Sequence, residues 1–233
     1  MTYSILAKCP KTGRYGMAIA TYSVAVGQWC DGLDQYAGIT MSQAFVRQTN
    51  NRLALHLLKL EHSARFVTDA LVRDDEFSAY RQIGTISSSG EASCHTGSGP
   101  RAWAGHRIGE RYVAMGNVLI GEQVVDAIAS AYERSQSEPF EQRLLLALEV
   151  GRDAGGQGTP SHFLAERSSA LLVTRSDQVE AVNIRVDLHD KAVDELRRVF
   201  TFCNRYADYY RSRGIYPPNA PGQEVFEREN GLI

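Results

Sequence analysis

Residues 2–21 read TYSILAKCPKTGRYGMAIAT, and the fold is decided there. Tyr3, Ile5 and Ala7 alternate with Thr2, Ser4 and Leu6, as on the two faces of a strand. Pro10-Lys11-Thr12-Gly13 supplies a turn, and Tyr15 to Tyr22 forms a second run rich in small and β-branched residues. This is a β-hairpin whose first strand begins at the second residue, where a chain end is ordinarily frayed. With Met1 removed, that strand would start on a free α-amine beside the hydroxyl of Thr2.

Working outward, Val24 to Asp34 is rich in turn residues and Tyr36 to Ala44 reads as another strand. Helical spacing is expected over 50–61 and 64–73. The period then shortens: QIGTISSSGEASCHTGSG reads as two strands about a Ser-Gly turn, and RAWAGHRIGERYVAMGNVLIG as two more about Gly109-Glu110. Helices are expected at 123–134 and 140–152, followed by a Gly-rich loop, DAGGQGTPSHF. SSALLVTR and VEAVNIRVD form a further hairpin, a long helix runs over 190–213, and a Pro-rich tail begins at Ile215. Antiparallel hairpins outnumber any βαβ repeat. Two separate blocks of helices must each cover a sheet face, which predicts two sheets packed together with helices outside.

The chain has 233 residues, 43% of them hydrophobic, enough for a sizeable core. With 25 basic and 27 acidic residues the net charge is −2, so no footprint for nucleic acid or an anionic membrane is present. Cys9, Cys30, Cys94 and Cys203 make no CxxC pair and read as reduced thiols. No signal segment and no run of about 18 apolar residues occurs, which predicts a soluble cytoplasmic protein. One domain over 1–205 is expected, with 206–233 as a tail packing on that domain or on a neighbouring subunit.

The six histidines include no i, i+4 pair and no HExxH, so no metal is expected. Gly97 to Ala102 formally matches GxGxxG/A, but Pro100 removes a donor and strand follows where a helix should begin, so no dinucleotide or other cofactor is expected. Cys94 and His95 are adjacent on a strand and point to opposite faces, which excludes a direct dyad. A serine nucleophile at Ser87-Ser88-Ser89 lacks any G-x-S-x-G elbow. Thr2 carries a hydroxyl nucleophile and, once terminal, its own base, because an α-amine with a pKa of roughly 7.7–8.0 is partly neutral near pH 7.

The opening hairpin resembles that of the N-terminal nucleophile (Ntn) hydrolases, including proteasome-like subunits. More specifically, the chain resembles the DUF1028 family at Thr2–Ala20, GITMSQA (38–44), RQIGTI (81–86), HTGSGPRAWAGH (95–106), GNVLIG (116–121), RLLLALEVGRDAGG (143–156), SSALLV (168–173) and IRVDLHDKAVDELRRV (184–199). The resemblance implies an α+β fold, a four-layer αββα sandwich of two antiparallel sheets flanked by helices. It departs from the family in the longer QGTPSHFLAER segment after Gly156. It departs from proteasome subunits in having no lysine between Lys11 and Lys59. The expected activity is hydrolysis of a small linear amide through an acyl-enzyme on Thr2. Asn117 and Gln43 are expected as oxyanion donors, and His95, Arg185 and Asp187 as substrate contacts. The alternative is a non-catalytic Ntn-fold scaffold or small-molecule binding protein. A homo-oligomer is expected, with no nucleic-acid or membrane partner.

Overall fold

The computed structural model describes residues 1–100, 102–176 and 181–233 of the chain. The opening hairpin is β1 (Thr2–Lys8) and β2 (Tyr15–Thr21), with Thr2 opposite Thr21 and Lys8 opposite Tyr15. Its turn is closed by Cys9 N–H donating to Arg14 O and by Gly13 N–H donating to Cys9 O. Gly13 takes a φ of +70°, a conformation that glycine reaches without strain. There follow β3 (Leu33–Asp34), β4 (Gly38–Ala44), α1 (Gln48–Lys59), α2 (Ala64–Asp74), β5 (Arg81–Ser87) and β6 (Ala92–Thr96). Next come β7 (Trp103–Gly109), β8 (Tyr112–Leu119), α3 (Gln123–Arg134), α4 (Phe140–Asp153), β9 (Gln157–Thr159) and β10 (His162–Leu164). The chain closes with β11 (Ser168–Val173), β12 (Val182–Val186), α5 (Ala192–Asn204), α6 (Ala207–Ile215) and α7 (Gln223–Glu229).

The class is α+β. One antiparallel sheet has the order β10-β9-β8-β1-β2-β11-β12, with β7 also paired to β8; a smaller one runs β3-β4-β5-β6. β1 is central, held by β8 on one side and β2 on the other, which is why all its residues but Lys8 are buried. Alternation then assigns the faces. Leu6, Met17, Ile19, Val113 and Met115 of the large sheet meet Ile39, Met41 and Ile86 of the small one in a shared core. The other face of the large sheet carries α3 and α4, and the other face of the small sheet carries α1 and α2. There Ala54, Leu58, Val67 and Leu71 close over Ile83. Ser63 caps α2 by accepting Phe66 N–H on its hydroxyl at 3.2 Å, satisfying a donor the first helical turn leaves open.

The chain divides into two compact units, Met1–Leu196 and Arg197–Ile233. The second is organised by its own aromatics: Tyr209 stacks on Phe226 at 4.2 Å between ring centres, and its hydroxyl donates to Pro221 O. Among the described residues no helix is long and apolar enough to cross a membrane.

Three elements differ from the sequence expectation. The helix expected over 190–213 is interrupted by a turn at Arg205 and Tyr206, whose amides bond to Phe202 O and Cys203 O. The Gly-rich loop contains the short hairpin β9–β10, whose three-residue strands are too brief to show a period. The tail forms α7. Of the strand expected at VEAVNIRVD, Val179 and Glu180 lie outside the described residues, as does Arg101 of the GxGxxG/A match.

Candidate active site

The start of β1 sits where the two sheets open. Thr2, Ser4 and Leu6 share the face toward the small sheet, while Tyr3 turns toward α4, its hydroxyl bonded to the buried Glu166 at 2.8 Å. Thr2 is 8% exposed and lies in register between Thr21 and Asn117. Its hydroxyl donates to Thr21 Oγ1 at 3.3 Å, and Thr21 in turn donates to Met1 O and accepts Ser23 N–H at 3.2 Å. The Met1 amine donates to Asn117 Oδ1 at 2.8 Å, and burial lowers it from 8.0 to about 6. At pH 7 that amine is therefore mostly a neutral base.

Behind this row is a buried carboxamide cluster. Ser4 Oγ donates to Gln43 Oε1 at 2.8 Å, Gln43 Nε2 donates to Gln82 Oε1 at 2.6 Å, and Asn117 Nδ2 donates to the same oxygen at 3.2 Å. All four side chains are at most 2% exposed. In front is a cleft of about 390 Å³ whose lining includes Met1, Ser23, Ala44, Phe45, Asn117 and Val118. Two of these have left-handed backbones, Ala44 at φ +73° and Val118 at φ +55°. Val118 lies opposite a register shift between Trp103 and Ala104, a bulge that ends the regular ladder just after Asn117. A β-branched residue in that region is strained, and each strained residue directly follows a carboxamide of the cluster.

Of the residues singled out from the sequence, the structure therefore brings Thr2, Gln43 and Asn117 together. It leaves His95, Arg185 and Asp187 elsewhere. His95 lies opposite Ile83, on the helix side of the small sheet, with Nε2 3.0 Å from Ser78 O. Cys94, its neighbour, faces the core between the sheets against Met115, and burial raises its thiol. Arg185, on β12, pairs at 2.9 Å with Asp187, just past the end of that strand. The register Ser4–Ile19–Ala170–Arg185 sets Arg185 three strands from β1, roughly 14 Å across the sheet. Thr21 and Gln82 were not anticipated. Thr21 could have been found by counting the hairpin back from its turn, whereas Gln82 becomes visible only once β5 is paired with β4, opposite Gln43. Among the described residues no group of three His, Cys, Asp or Glu is placed to hold a metal ion.

A family model described as "Family of unknown function (DUF1028)" matches residues 2–196. The chain is also similar to a solved structure, described as the crystal structure of protein SPO2555 from Silicibacter pomeroyi, family-model DUF1028. The two are 30% identical with a TM-score of 0.82, over 91% of this chain and 94% of that one. No curated protein matches the chain.

Proposed function

The chain belongs to the DUF1028 family, and from that premise and the site geometry we propose that it is an N-terminal-nucleophile amidohydrolase acting on a small linear amide. In this reading the two sheets and their covering helices are the αββα sandwich of the Ntn hydrolases. Met1 is removed, and Thr2 becomes nucleophile and base together. The observation that carries the reading is the environment of the first two residues. A buried threonine opens the central strand, and the residue before it, Met1, lines a cleft with an amine that burial lowers to about 6. Removal of Met1 would bring the Thr2 amine to that cleft.

The chemistry follows from those atoms. Thr2 Oγ attacks the amide carbonyl carbon as its proton passes to the Thr2 amine, with Thr21 Oγ1 beside the hydroxyl as a relay. The C–N bond breaks, the amine returns the proton to the leaving nitrogen, and an ester on Thr2 remains. Water then attacks the ester, again deprotonated by the amine, and an acid is released as Oγ regains its proton. Asn117 and Gln43 each direct one carboxamide N–H to Gln82, and each carboxamide has a second N–H for the oxyanion. His95, Arg185 and Asp187, away from this row, take no part in the bond exchange proposed.

The test begins with the intact mass of tagless protein. A mass lacking Met1, together with hydrolysis of linear amides that Thr2→Ala abolishes, is the expected result. Retained Met1 in folded protein would overturn the reading and favour the binding-protein alternative. In that alternative the bonds from the Met1 amine to Asn117 and from Thr21 to Met1 O are permanent structure.

A further inference from the structure

The reaction as written leaves Gln82 without a part, although it is fully buried and joins both sheets. Its Nε2 lies 3.0 Å from Gly105 O and 3.0 Å from Gly116 O, both on the large sheet, and 2.9 Å from Thr96 Oγ1. Backbone carbonyls only accept, so nitrogen must be the atom that faces them; a flipped amide would set Oε1 against two carbonyl oxygens. Gln82 Oε1 therefore points the other way, where it can only accept. Both neighbours are forced to answer with nitrogen, Gln43 at 2.6 Å and Asn117 at 3.2 Å. The Asn117 oxygen is thereby turned to the chain-terminal amine, 2.8 Å away, and the Gln43 oxygen to the Ser4 hydroxyl, also at 2.8 Å.

We propose that Gln82 is the positioning residue of this site: two backbone carbonyls fix its direction, and it imposes on Asn117 the orientation in which Oδ1 holds the terminal amine. The catalytic consequence rests on the hydrolase reading; the orientation itself does not. The amine that Asn117 Oδ1 holds in the structure is that of Met1. With Met1 removed, the same oxygen is left to accept from the Thr2 amine, whose lone pair then serves the Thr2 hydroxyl. A flipped Asn117 would offer the amine a donor it cannot use when protonated. The titratable side chain nearest along these bonds is His106, whose Nδ1 is 2.8 Å from Thr96 Oγ1; burial and then His95 lower its pKa, so it is neutral above pH 7.

The orientation is read first in the wild-type chain by NMR. Nuclear Overhauser contacts from the Asn117 carboxamide protons to the Gln82 and Gln43 side chains are expected. Contacts from those protons to the terminal residue in their place would overturn the proposal. Gln82→Met and Gln82→Glu are then compared by NMR titration of the α-amine and by kcat and KM on any amide the wild type cleaves. Gln82→Met releases Asn117, so the amine loses its acceptor and its protonation constant and kcat each fall about tenfold or more, KM moving less. A protonated glutamate supplies one O–H donor and one carbonyl acceptor, so Gln82→Glu matches the wild type at low pH and loses that behaviour as its buried carboxyl ionises. If Gln82→Met does not fold, the pH contrast within Gln82→Glu gives the same answer. Folded variants with an unchanged amine titration would end the proposal while leaving the hydrolase reading intact. A wild type that cleaves nothing, with an amine that still responds to Gln82, would do the reverse.

Discussion

At the scale of single residues, the site is distinguished by the small number of bonds Thr2 makes. Among the described residues its hydroxyl has one partner, Thr21 Oγ1 at 3.3 Å, so removing it costs little folding stability. Thr2→Ala is expected to abolish amide hydrolysis while changing unfolding stability by about 1 kcal/mol or less, as urea melts will show. The amine titration has a stated sign. With Met1 in place its amine, lowered from 8.0 to about 6, contributes stability that is complete above pH 8 and is lost as pH falls through about 6. In the processed hydrolase the base is the Thr2 amine, and the pH–rate profile should rise as that amine loses its proton. Glu166 works in the opposite sense. Burial, the largest influence, raises its carboxyl above 4.5. Its share of stability is full below 4.5 and declines as pH rises through the raised value. Glu166→Gln, which keeps an oxygen for the Tyr3 hydroxyl, should flatten that decline in thermal melts taken across pH 4–8.

At the scale of elements, the cleft is made by how two strands end. β4 stops at Ala44 and the ladder of β8 breaks at Val118, both with left-handed backbones, and each stop leaves the preceding Gln43 or Asn117 facing the cluster. A left-handed residue with a branched side chain costs roughly 1–2 kcal/mol. Replacing it with glycine recovers most of that and returns some to chain entropy. Val118→Gly should therefore stabilise the fold by about 1 kcal/mol in denaturant titrations, while loosening Asn117 and lowering kcat. A destabilised Val118→Gly would mean that the bulge is held by the packing of Val118 and not strained by it. The Ser63 cap, distant from the cleft, provides a contrast: Ser63→Ala should cost about 1 kcal/mol and leave turnover unchanged.

At the scale of the Met1–Leu196 unit, the polar row is held by apolar packing immediately beneath it. Leu6, Met17, Met41, Ile86 and Met115 form the layer between the sheets, and their fit sets the distance that Gln82 must span from the small sheet to the carbonyls of Gly105 and Gly116. Met115→Ala should cost about 2–5 kcal/mol by equilibrium unfolding. It should also weaken catalysis, because a layer that settles by even a fraction of an ångström takes those bonds out of their geometry. The core and the site are thus one mechanical unit, and their mutational effects will not add.

The sequence by itself determined most of the local elements and the parity of the first hairpin. Alternation along Thr2 to Lys8 and a turn ending in Gly13 are short-range properties, so Thr2 could be read as the first member of a buried strand from residues 2–21 alone. The same local logic placed Cys94 and His95 on opposite faces. It could not tell that His95 faces the helices, or that β11 and β2 separate Arg185 from β1, because strand order is set by long-range pairing that leaves no trace in a single strand. Only the tertiary structure decided the partners of the carboxamides. Gln43 and Gln82 are 39 residues apart and meet across β4 and β5, and Gln82 and Asn117 meet across two sheets. The physical reason is that a hydrogen bond is directional at both ends. Which atom of Asn117 faces the terminal amine follows from two backbone carbonyls on neighbouring strands, and their positions are known only once both sheets are built.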